Sequence, residues 1–223
     1  MRFDYGSIVI FLTAVILIAV GFIFSCSLFE SDGHDSFTDK RDGKKYKTVV
    51  IGNQTWMAEN LNYDAEGGKC YENKPENCKK YGKLYDWKTA MVLPSTCDEN
   101  KCSDQIQSNH QGICPDGWHI PSQADWNVLM AAVGGESTAG IKLKTKKGWY
   151  INGSDEFGFS ALPGGEGISD DYFNNIGNIG AWWSASEENS HYAYERRISF
   201  VNEVMRSGEK KSKSLSVRCV KDD

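Results

Sequence analysis

Cys114-Pro115-Asp116-Gly117-Trp118-His119-Ile120-Pro121-Ser122-Gln123-Ala124-Asp125-Trp126 is the stretch from which the rest of the chain can be read. Pro115-Asp116-Gly117 is turn chemistry: proline fixes φ at the second position and glycine is free to take φ > 0. Ser122 stands as an N-cap, with Asp125 at the capping-box position where Glu or Gln is commoner. Trp126, Leu129, Met130 and Val133 then recur at i, i+3, i+4 and i+7, which predicts a helix with one apolar stripe. Gly134-Gly135 stops it. The pattern predicts architecture and names no reaction.

Outward from that stretch, composition sets limits. The chain has 223 residues and a net charge of −5. No basic stripe exists to neutralise phosphates, which argues against a nucleic-acid partner. Residues 8–24 form an apolar run of about 17 residues broken only by Thr13 and Gly21, a length between a secretory core and a minimal membrane anchor. The run ends at Cys26, preceded by Ile23-Phe24-Ser25. This resembles a bacterial lipobox, with an aliphatic residue at −3 and a small one at −1, although Phe24 at −2 departs from the pattern. The resemblance implies a signal peptide over residues 1–25, lipidation of Cys26 and a flexible tether over 26–36. The alternative is an uncleaved anchor. Lipidation of Cys26 leaves six cysteines, an even number suited to an oxidising compartment.

Further along, Asp42-Gly43 and Gly52-Asn53 are hairpin turn signals. Residues 46–51 have the composition of a strand, and Gln54-Thr55-Trp56-Met57 begins the next. Residues 81–93 predict a short helix with Leu84, Trp87, Ala90 and Met91 inward. Residues 157–165 read as a strand entering a glycine-rich loop, which carries Asp170, Asp171, Tyr172, Asn174 and Asn175 and runs to Gly180. Trp182-Trp183 opens a strand whose neighbouring side chains take opposite faces, one in the core and the other nearer solvent or in a second layer. Residues 192–200 and 203–206 complete a meander, with Lys210, Lys211 and Lys213 in a solvated turn. Leu215, Val217 and Cys219 alternate inward in the last strand.

Thr48-Val49-Val50-Ile51-Gly52-Asn53-Gln54-Thr55-Trp56-Met57-Ala58-Glu59-Asn60-Leu61-Asn62-Tyr63 resembles the opening signature of the Fibrobacter succinogenes major paralogous domain family. Tyr81-Gly82-Lys83-Leu84-Tyr85-Asp86-Trp87, the Cys114 stretch, Trp182-Trp183-Ser184-Ala185-Ser186 and Ser216-Val217-Arg218-Cys219-Val220 follow in the family's order. The resemblance places one such domain over residues 37–223. It implies an exported, often lipid-anchored bacterial protein of unsettled activity.

Gly117-Trp118-His119-Ile120-Pro121-Ser122-Gln123-Ala124-Asp125-Trp126 is also similar, more distantly, to a motif of formylglycine-generating sulfatase-modifying enzymes. That similarity implies an α+β, C-type lectin-like fold: small antiparallel sheets, one or two helices, long irregular loops and disulfides. The enzyme reading falters because those enzymes use a pair of reactive cysteines near the C-terminus, where this chain has only Cys219. Cys70 with Cys78 and Cys97 with Cys102 are close enough to pin local loops, which leaves Cys114 with Cys219. Six cysteines allow about 15 pairings, and proximity and resemblance guide this choice.

The four histidines are scattered and no zinc-ligand spacing occurs. Asp170 and Asp171, with Asn174 and Asn175, offer oxygen donors of the kind calcium prefers. The sugar-binding motifs of calcium-dependent lectins are missing, so calcium is a weak expectation and no other cofactor is expected. Carbohydrate binding needs flat aromatics beside amides and carboxylates, because sugars present apolar faces and hydroxyl edges. The candidates are Trp149, Tyr150, Tyr172, Asn174, Asn175 and Trp183. The reading is a non-catalytic outer-membrane lipoprotein, facing the periplasm or the cell surface, that binds polysaccharide or serves in adhesion. A structural component binding another envelope protein is the alternative, and an enzyme of the formylglycine-generating kind comes third.

Overall fold

The computed structural model describes residues 35–222; the expected signal segment and Cys26 lie outside them. Of the expected tether, Asp35 and Ser36 already belong to a strand. That strand, β1 (Asp35–Thr38), pairs with β2 (Lys45–Ile51), and Gly43 at φ 74° closes the turn between them. Gly52 at φ 62° then turns β2 into β3 (Gln54–Met57), with Val49 opposite Trp56. Both glycine turns sit where the sequence places them. Next come α1 (Pro75–Tyr81), β4 (Leu84–Tyr85), α2 (Trp87–Met91) and β5 (Trp118–His119). The central helix is α3 (Gln123–Ala132), followed by α4 (Glu136–Leu143). The chain continues with β6 (Glu166–Gly167), β7 (Phe173–Asn174), β8 (Gly180–Glu187), β9 (Tyr192–Ile198), β10 (Val204–Lys210), β11 (Leu215–Ser216) and β12 (Val220–Lys221). Among the described residues, no helix is long and apolar enough to cross a membrane.

The strands make two five-stranded sheets and one small hairpin. The first sheet runs β1-β2-β3-β12-β5, the second β10-β9-β8-β11-β4, and β6 pairs with β7. Pairing is antiparallel except where β11 meets β8. The last strand lies between β3 and β5, so the beginning and end of the described chain share a sheet. This is a mixed α+β fold with small, mostly antiparallel sheets, few helices and three disulfides: Cys70–Cys78, Cys97–Cys102 and Cys114–Cys219.

Two apolar clusters fill the interior, and Trp182-Trp183 explains how. Trp183 packs with Trp87, Met91, Trp118, Leu215 and Val217. Trp182 packs with Trp56, Trp126, Leu129, Phe159 and Val220. Adjacent side chains on a strand take opposite faces, so β8 is covered on both sides and neither tryptophan reaches solvent. The second layer is the outcome. The expected last strand is split into β11 and β12 with 217–219 between them outside any strand, yet Leu215, Val217 and Cys219 are buried as expected, and so are Ser216 and Arg218. Arg218 donates from Nη2 to Asn60 Oδ1 at 2.7 Å and from Nη1 to the Phe159 carbonyl, with its guanidinium 4.3 Å from the Phe159 ring centre. Burial pushes this guanidinium down to about 9, against the more distant charges of Asp155 and Glu59.

The central stretch folds as its pattern dictates. Ser122 Oγ accepts from the Asp125 amide and Asp125 Oδ2 accepts from the Ser122 amide at 2.8 Å, a complete capping box. Trp126, Leu129, Met130 and Val133 are all buried. His119 is packed rather than offered to a ligand: Nδ1 donates to Asp222 Oδ1 at 2.6 Å, and Nε2 lies 3.5 Å from Asp125 Oδ2. Burial alone would lower the imidazole pKa, but the two carboxylates outweigh it and leave it raised. The Asp125 carboxyl is held below its usual value: His119 and the capping hydrogen bonds overcome its burial.

Two expectations need correction. The stretch 157–165 forms no strand; its sheet-like contacts are two isolated bridges, Ala161 to Lys144 and Gly165 to Gly180. The turn of Lys210, Lys211 and Lys213 is not wholly solvated either. Lys211 is fully buried and paired with Glu187 at 2.6 Å. Lys144, just beyond α4, is fully buried as well.

Candidate functional site

The glycine-rich stretch 165–180 presents the aromatic and amide groups expected to meet a ligand. Gly165 starts it at φ 71°, and a Cβ there would stand 2.6 Å from both the Asn174 carbonyl and the Tyr71 ring. Only glycine lets the β6–β7 hairpin fold back this tightly. The amide of Gly167 donates to the Ser214 carbonyl at 2.8 Å, and the Gly167 carbonyl accepts from the Ser214 amide at 2.9 Å. Beneath the hairpin, buried Glu166 accepts from Arg197 Nη2 and Asn175 Nδ2, each at 3.0 Å, with Lys213 Nζ at 3.4 Å. Burial would raise the Glu166 carboxyl, but Arg197, Lys213 and Asn175 hold it below its ordinary value. Phe173 packs on Tyr71 with ring centres 5.3 Å apart. The loop is long and built on a fixed base.

On that base two candidates stand out to solvent. Tyr172 is 58% exposed, and Tyr150 is 80% exposed with its amide bonded to the Gly177 carbonyl at 2.8 Å. Asn174 is exposed as well. Tyr172 and Asn174 lie on the loop itself, and Tyr150 on a segment bonded to it at Gly177. Asn175 is committed to Glu166 and supports the loop instead.

Trp149 and Trp183 are corrected: neither can stack on a sugar. Trp149 is 5% exposed, and its indole N–H donates to the Ala161 carbonyl at 2.9 Å. Trp183 is 0% exposed and donates to the Tyr85 carbonyl at 2.7 Å. Large aromatics carry the greatest burial gain, and the two cores claim these rings first.

The acidic candidates do not converge. Asp170 pairs with Lys69, which lowers its carboxyl pKa, and Asp171 accepts from Asn73 Nδ2 at 3.3 Å. Among the described residues, no group of three or more His, Cys, Asp or Glu is placed to hold a metal.

A second exposed surface was not legible in the sequence. Ile151 follows Tyr150, and Phe200 and Val201 are also exposed. Both segments are tied to the α4 terminus: Gly153 N donates to the Thr145 carbonyl at 3.0 Å, while Lys144 Nζ donates to the Ser199 carbonyl at 3.1 Å. Lys144 lies in the interior there, and burial lowers its pKa.

Residues 49–221 match the family model of the Fibrobacter succinogenes major domain. No curated protein and no solved structure matches the chain.

Proposed function

The chain belongs to the Fibrobacter succinogenes major domain family, and from that premise we propose that it is a cell-envelope lipoprotein that binds polysaccharide without catalysing a reaction. On this reading Cys26 carries the lipid, and the domain has C-type lectin-like character. The insertion of β12 between β3 and β5 and the long loop before β8 support that fold reading. The observation that carries the functional one is the exposure of Tyr172 and Asn174 on the late loop, and of Tyr150 on a segment bonded to that loop at Gly177. A tyrosine ring covers the apolar face of a sugar while its hydroxyl and a neighbouring amide meet the hydroxyl edge.

A protein partner is the second reading. The exposed Ile151, Phe200 and Val201 favour it, because exposed apolar side chains suit protein contact.

The test is binding of the full-length protein, in detergent micelles, to an array of plant and bacterial glycans with and without calcium. Saturable binding that is lost in Tyr172→Ala or Tyr150→Ala supports the polysaccharide reading. No binding to any glycan, by protein shown to be folded and disulfide-bonded, overturns it.

A further inference from the structure

Lys211 joins three irregular segments. Its Nζ donates to the carbonyls of Cys97 (2.8 Å), Asn100 (3.1 Å) and Ser190 (2.9 Å), and pairs with Glu187 at 2.6 Å. Glu187 in turn accepts from the Cys102 amide at 2.9 Å. The Lys211 amide donates to the His191 carbonyl at 3.0 Å. One buried ion pair thus ties the Cys97–Cys102 loop, the β8–β9 turn and the turn after β10 together. Apolar residues of like volume would stabilise the fold as well; what the charged pair adds here is a fixed placement of three segments.

Those segments wall a cavity of about 450 Å³, each contributing two residues: Asp98 and Glu99, His191 and Tyr192, Lys210 and Ser212. The Asn189 side chain accepts from the amides of His191 (3.0 Å) and Tyr192 (3.1 Å), which fixes that wall. Tyr192 is half-buried and supplies a ring face. Asp98 Oδ2 pairs with Lys88 at 2.7 Å, whereas its Oδ1 is shielded from solvent and accepts no hydrogen bond among the described residues. Lys88 answers the charge of Asp98, and Lys210 matches Glu99 in number, so no excess of one sign draws an ionic ligand. Acceptors, donors and an aromatic face in near-neutral balance suit a polyol.

We propose that this cavity is a subsite for a neutral, hydroxyl-rich sugar ring. The proposal rests on the polysaccharide reading and adds a second contact to the late loop. The turn carrying Lys210 and Ser212 continues into Lys213 and Ser214, which bond Glu166 and Gly167 of that loop, so one turn supports both places.

The test titrates full-length protein in detergent micelles with neutral oligosaccharides of β-glucan, xylan and mannan, and with anionic oligogalacturonate. Glu99 and Lys210 are exposed, so Glu99→Gln and Lys210→Met leave the fold intact, which circular dichroism checks. Binding of a neutral oligosaccharide that each substitution weakens about tenfold supports the subsite, since charge-assisted hydrogen bonds are worth that much. Binding weakened by Tyr172→Ala but unchanged by both cavity substitutions overturns the subsite and leaves the polysaccharide reading standing. Binding of oligogalacturonate alone overturns the neutral-sugar assignment. No binding to any of them overturns both.

Discussion

The central stretch and the base around Lys211 each join segments distant in the chain, and they do it by opposite means. At the centre, β5, α3 and β12 are held by the Cys114–Cys219 bond, a capping box and packed tryptophans. At the base, the disulfide loop and two turns are held by a buried ammonium and a carboxylate. Covalent and periodic constraints leave marks in a sequence. A buried lysine leaves none, because its residue type is the same as that of its solvated neighbours.

The contrast can be broken in order of expected effect. Replacing Cys114 and Cys219 together by alanine removes a closure spanning 105 residues. The loop-entropy estimate puts the loss near 4.7 kcal/mol, against roughly 2–2.5 kcal/mol for either short bridge. Denaturant unfolding of the three double variants should show that ranking; equal losses would mean that packing, not closure, holds the centre.

Lys211→Ala leaves Glu187 buried without its cation, a loss of about 3–5 kcal/mol. Adding Glu187→Leu should restore a large part, because the uncompensated charge is then gone. A cost below about 0.5 kcal/mol for Lys211→Ala, the level of an ordinary surface change, would show that the base is not held by this pair.

The His119 clamp should be smaller and pH-dependent. The imidazole pKa is raised on folding above its ordinary 6.5. Its contribution is therefore complete below pH 6.5 and is lost as pH rises through the folded value. Asp125 is lowered from 3.8, so its contribution is complete above that pH and fades as pH falls through the folded value. Stability from this cluster should therefore be greatest between those limits. His119→Gln should cost about 1 kcal/mol near pH 5 and flatten the fall toward pH 8. An unchanged slope in the variant would remove His119 as its cause.

Smallest in stability is Tyr172→Ala, expected within about 0.5 kcal/mol of the parent because the ring is exposed. Its effect belongs to binding.

Much of the frame was legible because it rests on local chemistry. The Ser122 cap, the Trp126 stripe, the glycine turns and the β9–β10 meander all follow from residue type and spacing. The paired tryptophans were legible only in part: alternation separates Trp182 from Trp183, but whether the second face meets water depends on what else folds over it. Trp149 failed as a surface residue for the same reason, since its neighbour Tyr150 stays out while it fills the second core. Asp170 and Asp171 suggested a cation by composition, yet Lys69 and Asn73 reach them from about 100 positions away in the chain. Arg218, Lys144 and Lys211 were invisible as interior groups. Their partners are backbone carbonyls, the Asn60 amide and, for Lys211, the Glu187 carboxylate, groups that every sequence supplies in many places.

The most direct test of the late loop as a glycan surface is hydroxyl-radical footprinting of the full-length protein at saturating oligosaccharide. The polysaccharide reading predicts that Tyr150 and Tyr172 lose reactivity while Phe200 and Val201 keep theirs. Unprotected tyrosines at saturation, or protection confined to Phe200, Val201 and Ile151, would contradict it.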